Sequence, residues 1–161
     1  MKMSELDRQL IDFQQKKEKS WGKIITLLKK QFDNWATEEL TKHGYDNFKM
    51  SYMPLLVNIR PDGITNNELA KKARVTKQAM SKIVKELTAL GYVETEVHGQ
   101  DKRSSNVYLT TKGKKLLISA KTKVIDLEKR YEQLLGKKKF DELKETLAKI
   151  IDHHDATCSY L

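Results

Sequence analysis

Residues 76–86 read Thr-Lys-Gln-Ala-Met-Ser-Lys-Ile-Val-Lys-Glu, and their polar members recur at helical intervals. Lys77, Gln78, Ser81, Lys82 and Lys85 would project from one side of a helix whose opposite side carries Ala79, Met80, Ile83, Val84 and Leu87. A glutamine carboxamide sets a donor beside an acceptor, the complement of adenine N6 and N7. A serine hydroxyl can meet a base edge or a phosphate, and lysines neutralise phosphates or reach guanine acceptors. The chemistry on offer is recognition of a polyanion with readable edges. The same residue types also furnish the solvated face of an ordinary surface helix, and the segment alone does not choose between the two.

The elements that would position these side chains make the choice sharper. The Pro61-Asp62-Gly63 sequence supplies a turn, and Thr65 or Asn66 can cap a short helix through Arg74 with Leu69 and Ala70 facing inward. The tight segment Ala-Arg-Val-Thr follows, Thr76 caps the next helix, and Gly91 ends it in a left-handed conformation. Tyr92 to Val97 and Asn106 to Leu109 alternate as strands around a hydrophilic loop. Short helix, tight turn, helix, strand, basic loop, strand is the order of a winged helix-turn-helix. It puts Arg74 in the turn, and Lys102 and Arg103 in the wing, beside the polar helix face.

Amphipathic helices flank this lobe. Leu6, Leu10 and Phe13, then Ile24, Leu28, Phe32 and Trp35, keep three-to-four spacing, as one long helix or as two with a break near Ser20 to Gly22. A further helix starts near Ser51, with Pro54 in its first turn, where proline breaks no hydrogen bond. Thr110 or Thr111 can cap a helix with the stripe Leu116, Ala120, Val124, Leu127, Tyr131 and Leu134. Gly136 interrupts it before Phe140, Leu143, Leu147, Ile150 and His154. These stripes are longer than a small winged lobe can cover. They can bury one another as a hairpin across Gly136, pack on a second copy, or do both.

The fold class read from this pattern is mainly α with a small β-wing, a winged helix-turn-helix lobe plus N- and C-terminal dimerisation helices. Residues 45–110 form the lobe, with the helix-turn-helix at about 66–90 and the wing at about 92–109, while 1–40 and 111–156 supply the dimerisation helices.

Composition agrees with a polyanion partner and excludes several classes. Lys plus Arg number 31 against 22 Asp plus Glu, a formal net charge of +9. Apolar runs such as Met53 to Val57 fall far short of the roughly 20 residues of a membrane span. The opening MKMSELDRQLIDF lacks the apolar core of a secretory signal, so a cytoplasmic protein is expected. Cys158, the single cysteine, is read as an inert tail thiol. His153, His154 and Asp155, even with His43 or His98, make a poor metal set, since adjacent histidines on a helix point about 100° apart. No Gly-rich phosphate loop, GxSxG or HExxH occurs. No catalytic residue, metal or cofactor is assigned, and no enzyme is expected.

The stretch ITNNELAKKARVTKQAMSKIVKELTALGYVETEVHGQDKRSSNVYLTTKG resembles the MarR family of bacterial regulators. Its sharpest parts are ELA followed by VTKQAMSKIVKEL, then LGYV, DKRS and LTTKG. The resemblance implies that Thr76 to Lys85 form the recognition helix and that Arg103 enters the minor groove. Asp101 would orient the wing by pairing with an arginine. The DNA-binding set so implied is Arg74, Thr76, Lys77, Gln78, Ser81, Lys82, Lys85, Lys102, Arg103 and Ser104. It further implies a homodimer on a pseudo-palindromic operator of duplex DNA, acting as a repressor relieved by a small aromatic or phenolic effector. Phe32, Trp35, His43, Tyr45, Phe48, Tyr52 and Met53 could line an effector junction or be ordinary core, and no effector residue is assigned. The alternative is a winged-helix protein-interaction module that binds DNA only nonspecifically.

Overall fold

Serine and threonine caps set most helix starts. The computed structural model describes residues 3–15, 20–97 and 105–157. Helix α1 spans Glu5–Gln15. The Ser4 hydroxyl accepts from the Asp7 amide at 3.1 Å, and the Asp7 carboxylate accepts from the Ser4 amide and hydroxyl at 2.8 and 2.7 Å. Helix α2, Trp21–Lys42, starts anew from an extended Ser20 whose side chain accepts from the Lys23 amide. Two helices therefore occupy the N-terminal region where the sequence allowed one or two.

A 3-10 turn, Met50–Tyr52, runs into the short helix α3, Met53–Leu56, with Pro54 in its first turn. Strand β1, Ile64–Thr65, leads into α4, Asn66–Lys72, through a reciprocal capping box between Thr65 and Glu68. Two hydrogen bonds to Thr65 hold the Glu68 carboxyl below its ordinary pKa. Helix α5, Lys77–Ala89, starts at Thr76, whose hydroxyl accepts from the Ala79 amide at 3.1 Å.

Strands β2, Val93–Val97, and β3, Ser105–Leu109, pair antiparallel from Val93 opposite Leu109 to Val97 opposite Ser105. The sheet has a third strand that the sequence reading did not include. β1 pairs with the other edge of β3, Ile64 opposite Val107, giving the order β1-β3-β2. Helix α6 spans Thr111–Leu135 and α7 spans Lys137–Thr157.

The fully buried side chains Leu56, Ile64, Leu69, Met80, Leu87, Tyr92, Val93, Val107 and Leu116 tie the lobe together. Phe48 meets Tyr92 edge-on at 5.2 Å and Tyr52 at 6.1 Å. Phe48 and Tyr52 are thus core residues, whereas Phe32 and Trp35 are half-buried against one another at 5.6 Å. The Thr110 hydroxyl reaches the carbonyls of Gly91 and Tyr92 and accepts from the Gly113 amide. A Cβ on Gly113 would lie 2.2 Å from the Tyr92 carbonyl oxygen, so the first turn of α6 sits there only with glycine.

The chain divides into two compact units, Met1–Leu116 and Leu117–Leu161. In the second, the rings of Tyr131 and Phe140 meet at 5.8 Å across the Gly136 junction. No helix among the described residues is long and apolar enough to cross a membrane.

Candidate nucleic-acid interface

Helix α5 is fixed at both ends and along one side, which leaves the other side for contact. Its buried stripe is Met80, Val84 and Leu87. Lys77, Gln78, Ser81, Lys82 and Lys85 are all exposed, as are Arg74 and Thr76. Ala79 departs from expectation, because it is exposed where the sequence reading placed it in the core. It lies about 100° around the helix from Met80, on the side away from the Ser81 flank. Its methyl is an exposed apolar group.

The turn between α4 and α5 is built around Arg74, the one non-glycine residue with positive φ (53°) among those described. The Arg74 amide donates to the Lys71 carbonyl and the Val75 amide to the Ala70 carbonyl, the paired bonds of a Schellman cap. Helix α5 itself ends by the same pattern, there with Gly91 at φ 76° in the left-handed position. In the helix-turn-helix an arginine stands where glycine would cost nothing.

Glu86 is the only acid on α5. The Tyr52 hydroxyl donates to its carboxylate, and the Lys49 ammonium lies 3.5 Å from the same oxygen and 5.3 Å from the Tyr52 ring centre. The bond from Tyr52, then the Lys49 charge, hold the Glu86 carboxyl below its ordinary value. The Lys49 ammonium is held above its own by Tyr52 and then Glu86. The one negative charge on the helix is thereby engaged toward the 3-10 turn.

Ser81 and Lys85 share a shallow hollow with Thr95 of β2 and Ser105 of β3, so the foot of the wing adjoins the polar flank of α5. Val97 of β2 pairs with Ser105 of β3. Asp101, Lys102, Arg103, Ser104 and His98 lie outside the described residues, as does Cys158.

Sequence reasoning also missed Asn66. Its side chain, 9% exposed, donates from Nδ2 to the Ser81 hydroxyl at 2.9 Å. A signal was present in the polar residue just inside a threonine cap, but its partner stands fifteen positions away. His153 and His154 place their rings 6.0 Å apart, and no group of three metal-ligating side chains occurs among the described residues.

Two helices joined by a tight turn, the second with an exposed polar face and followed by a paired-strand hairpin, define a winged helix-turn-helix protein. The family profile described as MarR family matches residues 49–104, a range that includes α4, α5 and β2. The chain is 32% identical over 71 residues to the HTH-type transcriptional repressor YetL of Bacillus subtilis, which covers 44% of this chain but only 42% of YetL. It is 28% identical over 98 residues to the HTH-type transcriptional regulator BilQ of Clostridium symbiosum, covering 61% of this chain and 67% of BilQ. The crystal structure of the Staphylococcus aureus MepR–DNA complex shares the fold with a TM-score of 0.67 at 21% identity, over 84% of this chain and 98% of that one. Residues 49–104 of this chain are thus similar to the MarR family, and the fold is shared with MepR.

Proposed function

We propose that this protein is a sequence-specific duplex-DNA-binding transcriptional regulator, a homodimeric repressor relieved by a small-molecule effector. The observation that carries the reading is the exposed face of α5, where Gln78, Ser81, Lys82 and Lys85 stand together while Glu86 is engaged by Tyr52 and Lys49. Related regulators and a DNA-bound neighbour of the same fold support it. In this reading Gln78 and Ser81 read base edges and Lys77, Lys82 and Lys85 set affinity through phosphates. Arg74, Thr76, Lys102 and Ser104 add backbone contacts, Arg103 enters the minor groove, and Asp101 orients the wing. The terminal helices join two copies, so that two recognition helices meet half-sites about one helical turn apart. The effector is a small aromatic or phenolic molecule, the protein works in the cytoplasm, and no catalysis is involved.

The test is binding of a palindrome-containing duplex from the gene's own upstream region across a salt series. Affinity should fall steeply with salt. Gln78→Ala should weaken the preferred duplex by about tenfold, and Arg103→Ala should lower both affinity and the salt slope. Tight binding that neither substitution alters would remove α5 and the wing from the interface.

A further inference from the structure

Ser81 is exposed on α5, yet its hydroxyl is already engaged on two sides. It donates to the Lys77 carbonyl at 2.9 Å and accepts from Asn66 Nδ2 at 2.9 Å. A serine oxygen has one hydrogen and two lone pairs. A carbonyl can only accept, so the hydrogen goes to Lys77, and the Asn66 atom facing Ser81 is its donor. One lone pair is left for anything outside the protein. Reversing the amide would send the hydroxyl hydrogen to Asn66 instead, and it would still be spent within the protein.

Asn66 itself is held firmly. It is the first residue of α4, directly after the Thr65 cap and its box with Glu68, and it is buried. Its Oδ1 has no hydrogen-bond partner among the described residues. A buried amide whose oxygen lacks a partner carries a desolvation cost, so its role is better sought in what it orients.

We infer that Asn66 is a specificity-determining positioning residue, which fixes Ser81 as a pure hydrogen-bond acceptor toward DNA. The inference rests on the DNA-binding reading above. In the major groove the donors are the amino groups of cytosine N4 and adenine N6, whereas guanine N7 and O6 and thymine O4 are acceptors. The base facing Ser81 is therefore cytosine or adenine. Without Asn66 the serine side chain can turn, aim its hydrogen outward and accept guanine or thymine as well.

The experiment is selection from a randomised duplex pool followed by sequencing, with the full-length chain and three variants, each first checked for cooperative thermal unfolding. Ser81→Ala locates the position by flattening it. Asn66→Ala should reduce the preference for cytosine or adenine at that same position by roughly 3- to 10-fold, the worth of one hydrogen bond, and leave the profile elsewhere as it was. Asn66→Asp, whose carboxylate suits the first turn of a helix, still takes up the hydroxyl hydrogen and should keep the preference.

An Asn66→Ala profile identical to that of the parent overturns the inference. So does a uniform loss of selectivity across the site, a loss in Asn66→Asp equal to that in Asn66→Ala, or a Ser81→Ala profile with no flattened position. A parent chain that selects no sequence overturns the DNA-binding reading, and this inference with it.

Discussion

Arg74 holds a left-handed backbone that costs an L-residue about 1 kcal/mol or more, in a cap where glycine is the unstrained choice. A long cation in that position is explained if the side chain serves the DNA. Arg74→Gly, which removes that backbone strain, should accordingly bind the preferred duplex more weakly. A variant unimpaired in binding would reverse that assignment. At this scale the polar face of α5 was legible because three-to-four spacing separates Lys77, Gln78 and Lys82 from Met80 and Val84 without reference to the rest of the chain. Ala79 was not, since a small apolar residue at the margin of a stripe suits either side. Asn66 was not, because its meaning comes from a partner on the next helix.

Helix α5 is anchored to the 3-10 turn through Glu86, and that anchor has a pH signature. The Glu86 carboxyl is held below its ordinary value, first by the Tyr52 hydroxyl and then by Lys49. A lowered folded-state pKa means stabilisation that is present above the ordinary carboxylate range and lost as pH falls through the folded value. Tyr52→Phe should therefore lower the melting temperature at neutral pH, and the gap to the parent should narrow in acid. A gap of constant size from neutral pH to about pH 3, below the ordinary carboxylate pKa, would show that the contact is packing alone. Helix positions were readable from caps, and Thr65, Thr76 and Thr110 each hold the start of the following helix through a backbone amide. Strand β1 was hidden because two residues show no alternation, and Thr65 serves both as the end of that strand and as the cap of α4.

Across the whole molecule, large apolar side chains remain exposed on the terminal helices, among them Leu6, Phe13, Trp21 and Leu28 toward one end and Leu134, Leu143 and Ile151 toward the other. Burial of such faces against a second copy is what the homodimer of the proposed regulator would supply. The stripes were visible in the sequence, but their partner was not, because periodicity reports that a face is apolar and not what covers it. The formal charge of +9 raises affinity for any duplex, so binding alone does not separate a specific regulator from a basic interaction module. The measurement that separates them is the ratio of affinities for the gene's own upstream palindrome and for a scrambled duplex of equal length and composition, at about 150 mM salt. A sequence-reading dimer predicts a ratio on the order of 1,000 or more. A ratio near one would contradict the account and leave a winged-helix module that holds DNA by charge alone.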